Sequence, residues 1–86
     1  VTEEEAAEWM LATVEAYRFL DQSTVAMYLQ QQNENLIYFN DQGSLAVSKR
    51  VLAKFRTISP DHIVWSRSGL HWRHREEYDQ PGRMQP

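Results

Sequence analysis

The sequence predicts an α+β domain of three helices, a short strand or hairpin near residues 36–47, and a C-terminal β-hairpin. Three observations carry this reading. Apolar residues recur at helical spacing in three stretches, each behind a residue able to cap a helix. Leu36-Ile37-Tyr38-Phe39 is a run of strand formers, followed by the turn-forming Asn40-Asp41-Gln42-Gly43. Two further strand-like stretches, 63–67 and 70–75, flank Ser68-Gly69.

Thr2-Glu3-Glu4-Glu5 matches a capping box, with negative charge where the helix dipole favours it. Ala6, Trp9, Met10, Thr13, Val14, Tyr17 and Leu20 follow, and the first helix is expected over 3–18. Asp21 caps a second helix over 22–32, with Leu20 and Val25 placed as a hydrophobic staple. After Gly43 two readings compete. Either Ser44 caps one long helix to Ile58, or 44–47 returns as a strand and Ser48 caps a shorter helix. The second is preferred, because a strand at 36–39 needs a partner for its backbone donors and acceptors.

Pro60 and Asp61 stop the third helix. A hairpin of even loop length, with Gly69 available for a positive φ, pairs Trp65 with Trp72. Ile63, Trp65, Leu70 and Trp72 then share the core face, and Val64, Ser66, His71, Arg73 and Arg75 share the other. The expected core is Trp9, Val14, Tyr17, Leu20, Val25, Leu29, Leu36, Val51, Leu52, Phe55, Ile58, Trp65 and Trp72. Residues 1–78 are read as one globular domain and 79–86, with Pro81, Gly82 and Pro86, as an extended or disordered tail.

The chain has no cysteine, so no disulfide or thiolate zinc site can staple a core that is modest at this length. No apolar run approaches the roughly 18 residues of a membrane span. The acidic stretch 1–8 lacks the pattern of a targeting peptide. The expected location is the cytoplasm.

A net charge of −3 conceals a division along the chain. Residues 1–48 balance at −7, residues 49–75 at +6 and residues 76–86 at −2. The basic stretch supplies Lys49, Arg50, Lys54, Arg56, Arg67, Arg73 and Arg75, candidates for contact with nucleic acid or an acidic partner. They lie on the third helix and the hairpin, the two elements by which winged-helix domains hold DNA, so the arrangement is read as winged-helix-like. A pI near 5.5 counts against a dedicated nucleic-acid binder. Arg73 and Arg75 also have a structural alternative, as forks onto the chain's own carboxylates.

Leu11, Phe19 and Met27 fall off the inward faces of the expected helices and are candidates for self-association, most simply as a homodimer. Catalytic signals are poor. Phosphate-loop, dinucleotide and nucleophile-elbow patterns are missing, and no orienting acid marks Ser66 with His71 as a nucleophilic pair. His71 and His74 differ by three along a strand and so point to opposite faces, while His62 is read at the far end of the hairpin. No metal site, cofactor or catalytic residue is expected. The chain reads as a non-enzymatic protein-interaction or adaptor module that self-associates, with nucleic-acid binding as the alternative.

From Leu36 onward the chain resembles a family of short, uncharacterised bacterial proteins, similar ones being carried on mobile integron gene cassettes. The residues that carry the resemblance are Tyr38, Asn40, Gly43, Ala46, Val47-Ser48, Val51-Leu52, Phe55, Val64-Trp65, Trp72-Arg73, Arg75, Asp79 and Gly82-Arg83. The resemblance implies a small bacterial cytoplasmic protein and carries over no activity.

Overall fold

A computed structural model describes the whole chain, Val1–Pro86. The first helix, α1, spans Glu3–Tyr17. Its capping box is formed in both directions: the Glu5 amide donates to Thr2 Oγ1 at 3.1 Å and the Thr2 amide to Glu5 Oε1 at 2.8 Å. Arg18 ends the helix in the left-handed region, at φ 62. That turn throws the chain into a strand the sequence pattern did not suggest, β1, Phe19–Asp21. Three residues are too few to display an alternation, and Leu20 also fits the helical spacing of α1.

Asp21 caps α2, Gln22–Gln32, by accepting from the Thr24 amide. A single 3-10 turn, Glu34–Leu36, leads into β2, Ile37–Phe39, which pairs antiparallel with β3, Leu45–Val47. The returning strand is thus present. Ser48 then caps α3, Lys49–Ile58, accepting from the Arg50 amide.

The hairpin is β4, Ile63–Ser66, with β5, His71–His74, and Trp65 does stand opposite Trp72. Its loop is four residues, 67–70, rather than two. Leu70, not Gly69, takes the positive φ, at 52, and is left 54% exposed instead of on the core face. Gly69 serves another purpose: a Cβ there would displace the His71 imidazole.

β1 lies on the outer side of β5, pairing Leu20 with Trp72, and β6, Met84–Gln85, runs parallel to β4 on the other edge. The sheet order is β1-β5-β4-β6. Residues 79–86, expected to be an extended or disordered tail, bend at 81–83 and return to the sheet as β6: Gln85 is 1% exposed and the amides of Trp65 and Arg67 donate to the Arg83 and Gln85 carbonyls.

The core gathers Met10 and Val14 of α1, Val25 and Leu29 of α2, Val51 and Phe55 of α3, and Ile63 and Trp72 of the hairpin. Val64 and Ser66 are buried as well, so both faces of β4 are covered rather than one. Trp9, Leu52 and Trp65 are half-buried against the core. Trp9 stacks on Tyr28 at 4.1 Å between ring centroids, joining α1 to α2. Tyr17 and Ile58, expected in the core, are exposed. Each is the last residue of its helix, where the chain turns away before an apolar face can close over it. No helix is long and apolar enough to cross a membrane.

Candidate functional site

The amphipathic pattern of α3 places Leu52 and Phe55 toward the hairpin, and the pleat of β4 and β5 points Trp65 and Trp72 back at them. Phe55 meets Trp72 edge-on at 5.5 Å and Trp72 meets Trp65 at 4.6 Å. These rings do not fill the space between helix and sheet. A groove of about 560 Å³ remains, lined by Leu52, Phe55, Ile63, Trp65, Trp72 and Met84, with Gln22, Arg56, Ser59, Gly82 and Arg83 among its polar edge. Met84 comes from β6 and is 52% exposed. A groove with an aromatic floor and a few polar rim groups is the usual form of a binding site.

Arg83 shapes the rim. It donates to the Arg56 carbonyl, the Ser59 carbonyl and the Ser59 hydroxyl at 2.8–2.9 Å, and to Asp61 Oδ1 at 3.3 Å. A guanidinium there satisfies carbonyls at the end of α3, where helix geometry leaves them without partners. Arg56 stands beside it, exposed and with no carboxylate partner.

The seven basic candidates do not form one free face. Arg73 makes a bidentate pair with Asp79 at 2.7 and 2.8 Å. This guanidinium, helped by the Glu76 amide, holds the Asp79 carboxyl down to about 2, and Asp79 raises Arg73 in turn. Arg75 donates to the backbone carbonyls of Asp61, Gln80 and Gly82, pinning the returning tail. Lys54 pairs with Glu4 at 2.9 Å, which lowers the Glu4 carboxyl and raises the ammonium. Arg50 approaches Glu3 at 3.7 Å. Lys49 sits 6.0 Å from the Tyr38 ring centre, and Arg67 is exposed in the hairpin loop. The acidic start of α1 thus faces the basic side of α3.

Of the self-association candidates, Phe19 and Met27 are exposed at 50% and 59%, whereas Leu11 packs against the core. Phe19 lies 4.6 Å from the His71 ring. Ser66 and His71 are cross-strand neighbours, and the Ser66 hydroxyl donates to the Pro86 carbonyl while accepting from the Gly69 amide.

Sequence reasoning separated the three histidines, yet two of them meet. The register sets His74 opposite Ile63, so His62 stands next to it, with ring centroids 5.1 Å apart. His62 Nε2 is 2.7 Å from Glu15 Oε1 of α1. His74 Nε2 is buried and has no hydrogen-bond partner. The signal was available: the register that pairs Trp65 with Trp72 also pairs 63 with 74.

A model of a family of unknown function, DUF6953, matches residues 2–74. The chain belongs to this family. No curated protein matches it, and neither does any solved structure. The DUF6953 match begins well upstream of Leu36, where the sequence resemblance starts, and takes in α1 and α2. It contains Glu15, His62 and His74 and most of the groove, whereas Gly82, Arg83 and Met84 lie beyond it.

Proposed function

We propose that this chain is a non-enzymatic protein-interaction module whose groove between α3 and the hairpin receives an apolar side chain of a partner protein, with a carboxylate of that partner on Arg56. The observation that carries this reading is the unfilled apolar groove itself, with Trp65 and Met84 at its mouth and Arg56 unpaired on its rim. Aromatic and Met-lined pockets bordered by Arg have the composition of interface hot spots. The chain's cysteine-free composition fits a reducing compartment such as the cytoplasm.

Selection of a displayed random-peptide library on the folded chain tests the reading. Enriched peptides should share a large apolar residue next to Asp or Glu. Their binding should weaken at least ~10-fold with Met84→Glu, which puts a charge in the apolar mouth, and with Arg56→Ala. No enrichment, or binding indifferent to both changes, overturns it. Self-association belongs to the same reading, through exposed Phe19 and Met27. Light scattering at micromolar concentration should give a dimer mass that falls to a monomer with Phe19→Ser and Met27→Ser together; a monomer for the unaltered chain removes that part.

Nucleic-acid binding is the second reading, and one observation favours it. The order helix, short strand, helix, helix, hairpin, with β1 on β5, is that of a winged-helix-like arrangement once the β2–β3 pair inserted between α2 and α3 is set aside. The pairing of Arg73, Arg75 and Lys54 within the fold weighs against it.

A further inference from the structure

We propose that Glu15, His62 and His74 form a binding site for one divalent transition-metal ion, with zinc as the reference ion, joining the end of α1 to the open end of the hairpin. The three side chains each offer one ligand atom, and these atoms lie within 4.8 Å of one another. A tetrahedral zinc site, with bonds of about 2.0–2.2 Å, places its ligand atoms about 3.3 Å apart. The 2.7 Å between His62 Nε2 and Glu15 Oε1 is shorter than this and the outer limit of the trio is longer. Small side-chain rotations reach the coordinated geometry from there. His62 and Glu15 have the freedom for it, their side chains being 48% and 40% exposed.

The backbone beneath the trio is fixed. The Arg75 amide donates to the His62 carbonyl, locking the two histidine-bearing segments together, and Val14 anchors the last turn of α1 in the core.

The buried His74 nitrogen is the independent observation. A buried polar atom without a partner is rare and calls for a reason. His74 is a member of the cluster, its ring 5.1 Å from that of His62, and its buried Nε2 accepts from nothing and donates to nothing in the structure. A neutral imidazole nitrogen is the commonest protein ligand for a metal ion, and the Nε2 of His74 has no other partner to hold it. The donor set also selects the ion. Two imidazoles with one carboxylate suit zinc, copper, nickel or ferrous iron, whereas magnesium and calcium prefer oxygen donors. Three protein ligands leave a fourth position for water or a small anion. The site shares no residue with the groove, so the fate of one reading does not decide the other.

The test uses the full chain, free of any histidine tag and stripped with chelator, titrated calorimetrically with zinc chloride and, in parallel, followed by visible absorption with cobalt(II). One ion per chain should bind with micromolar or tighter affinity. His62→Gln and His74→Gln should each weaken binding ~10-fold or more, at least the loss typical of removing a ligand's supporting group. Glu15→Gln should weaken it too, and His71→Ala, on the other face of the hairpin, should leave it unchanged. His62→Gln alters a half-exposed side chain and guards against loss of the fold, which circular dichroism of each variant checks. No zinc binding up to ~100 µM, affinity unchanged in both His62→Gln and His74→Gln, or dependence on His71 instead would each overturn the proposal.

Discussion

Trp72 is where the fold is most sensitive to a single change. It sits on β5, between β1 and β4, and is 8% exposed. Its ring meets Phe55 edge-on at 5.5 Å and Trp65 at 4.6 Å. A buried Trp removes about 200 Å² from water, worth ~5 kcal/mol at ~25 cal/mol per Å². Truncations of large aromatics in cores lose about 3–5 kcal/mol, so the two routes agree near 4. Domains have about 0.05–0.15 kcal/mol of stability per residue, which for this length gives roughly 4–13 kcal/mol. Trp72→Ala therefore removes a third or more of the total. Trp72→Phe keeps a ring against Phe55 and gives up roughly 50 Å² of apolar area, or ~1–2 kcal/mol. Urea unfolding followed by far-UV circular dichroism measures both without relying on the altered fluorophore. With m near ~1–1.5 kcal/mol/M, the Phe variant should lower the midpoint by about 1 M. A loss below ~1 kcal/mol for Trp72→Ala would refute the core assignment, and with it the hairpin register as the organiser of the core.

Acid should destabilise the protein through Asp79. Its carboxyl is depressed from an ordinary 3.8 to about 2, so its contribution is present above the ordinary value and lost as pH falls through the folded one. Asp79→Asn should flatten the dependence of stability on pH between those limits, measured by urea midpoints in acid; parallel curves would contradict the role given to the Arg73 pair. Removing residues 80–86 deletes β6 together with the hydrogen bonds of Arg83 and Gln85. A net loss of at least ~2 kcal/mol follows from several hydrogen bonds at ~0.5–1.5 kcal/mol each, lowering the thermal midpoint by ~8–16 °C, and an unchanged midpoint would show the tail to be dispensable. Fluorescence anisotropy with mixed-sequence duplex DNA should detect no binding at low salt. Affinity that falls steeply with salt, with a slope flattened by about one unit each on Arg50→Ala and Lys54→Ala, would favour the nucleic-acid reading instead.

Local signals made most of the fold legible. Thr2, Asp21 and Ser48 each cap the helix expected behind them, because capping is decided within four residues. The pairing of Trp65 with Trp72 followed from the parity of the hairpin. What the pattern missed depends on distant parts of the chain. β1 is a strand because β5, some fifty residues later, supplies its partner. The tail is ordered because Arg75 and Gln85 satisfy its carbonyls and β4 offers a free edge. Proline and glycine composition describes only the local preference of residues 79–86 and says nothing of that edge.

The basic residues were legible as a set in the sequence and are divided in the structure, for an electrostatic reason. Arg50 and Lys54 are four apart on α3, one turn above the other, and α1 lies against that helix with Glu3 and Glu4 in its first turn. Placing the acidic start of α1 there brings opposite charges together and serves the dipole of α1 at the same time. The division along the chain is thereby spent largely within the fold, leaving Arg56 and Arg67 as the guanidiniums on the hairpin side without a carboxylate or carbonyl partner. Glu15 shows the opposite case. It looks like one more acid of an exposed helix, and only packing across forty-seven residues sets it beside His62 and into one cluster with His74. The hairpin register alone brings His62 to His74, but no spacing in the sequence brings Glu15 to them, because that contact depends on how α1 packs.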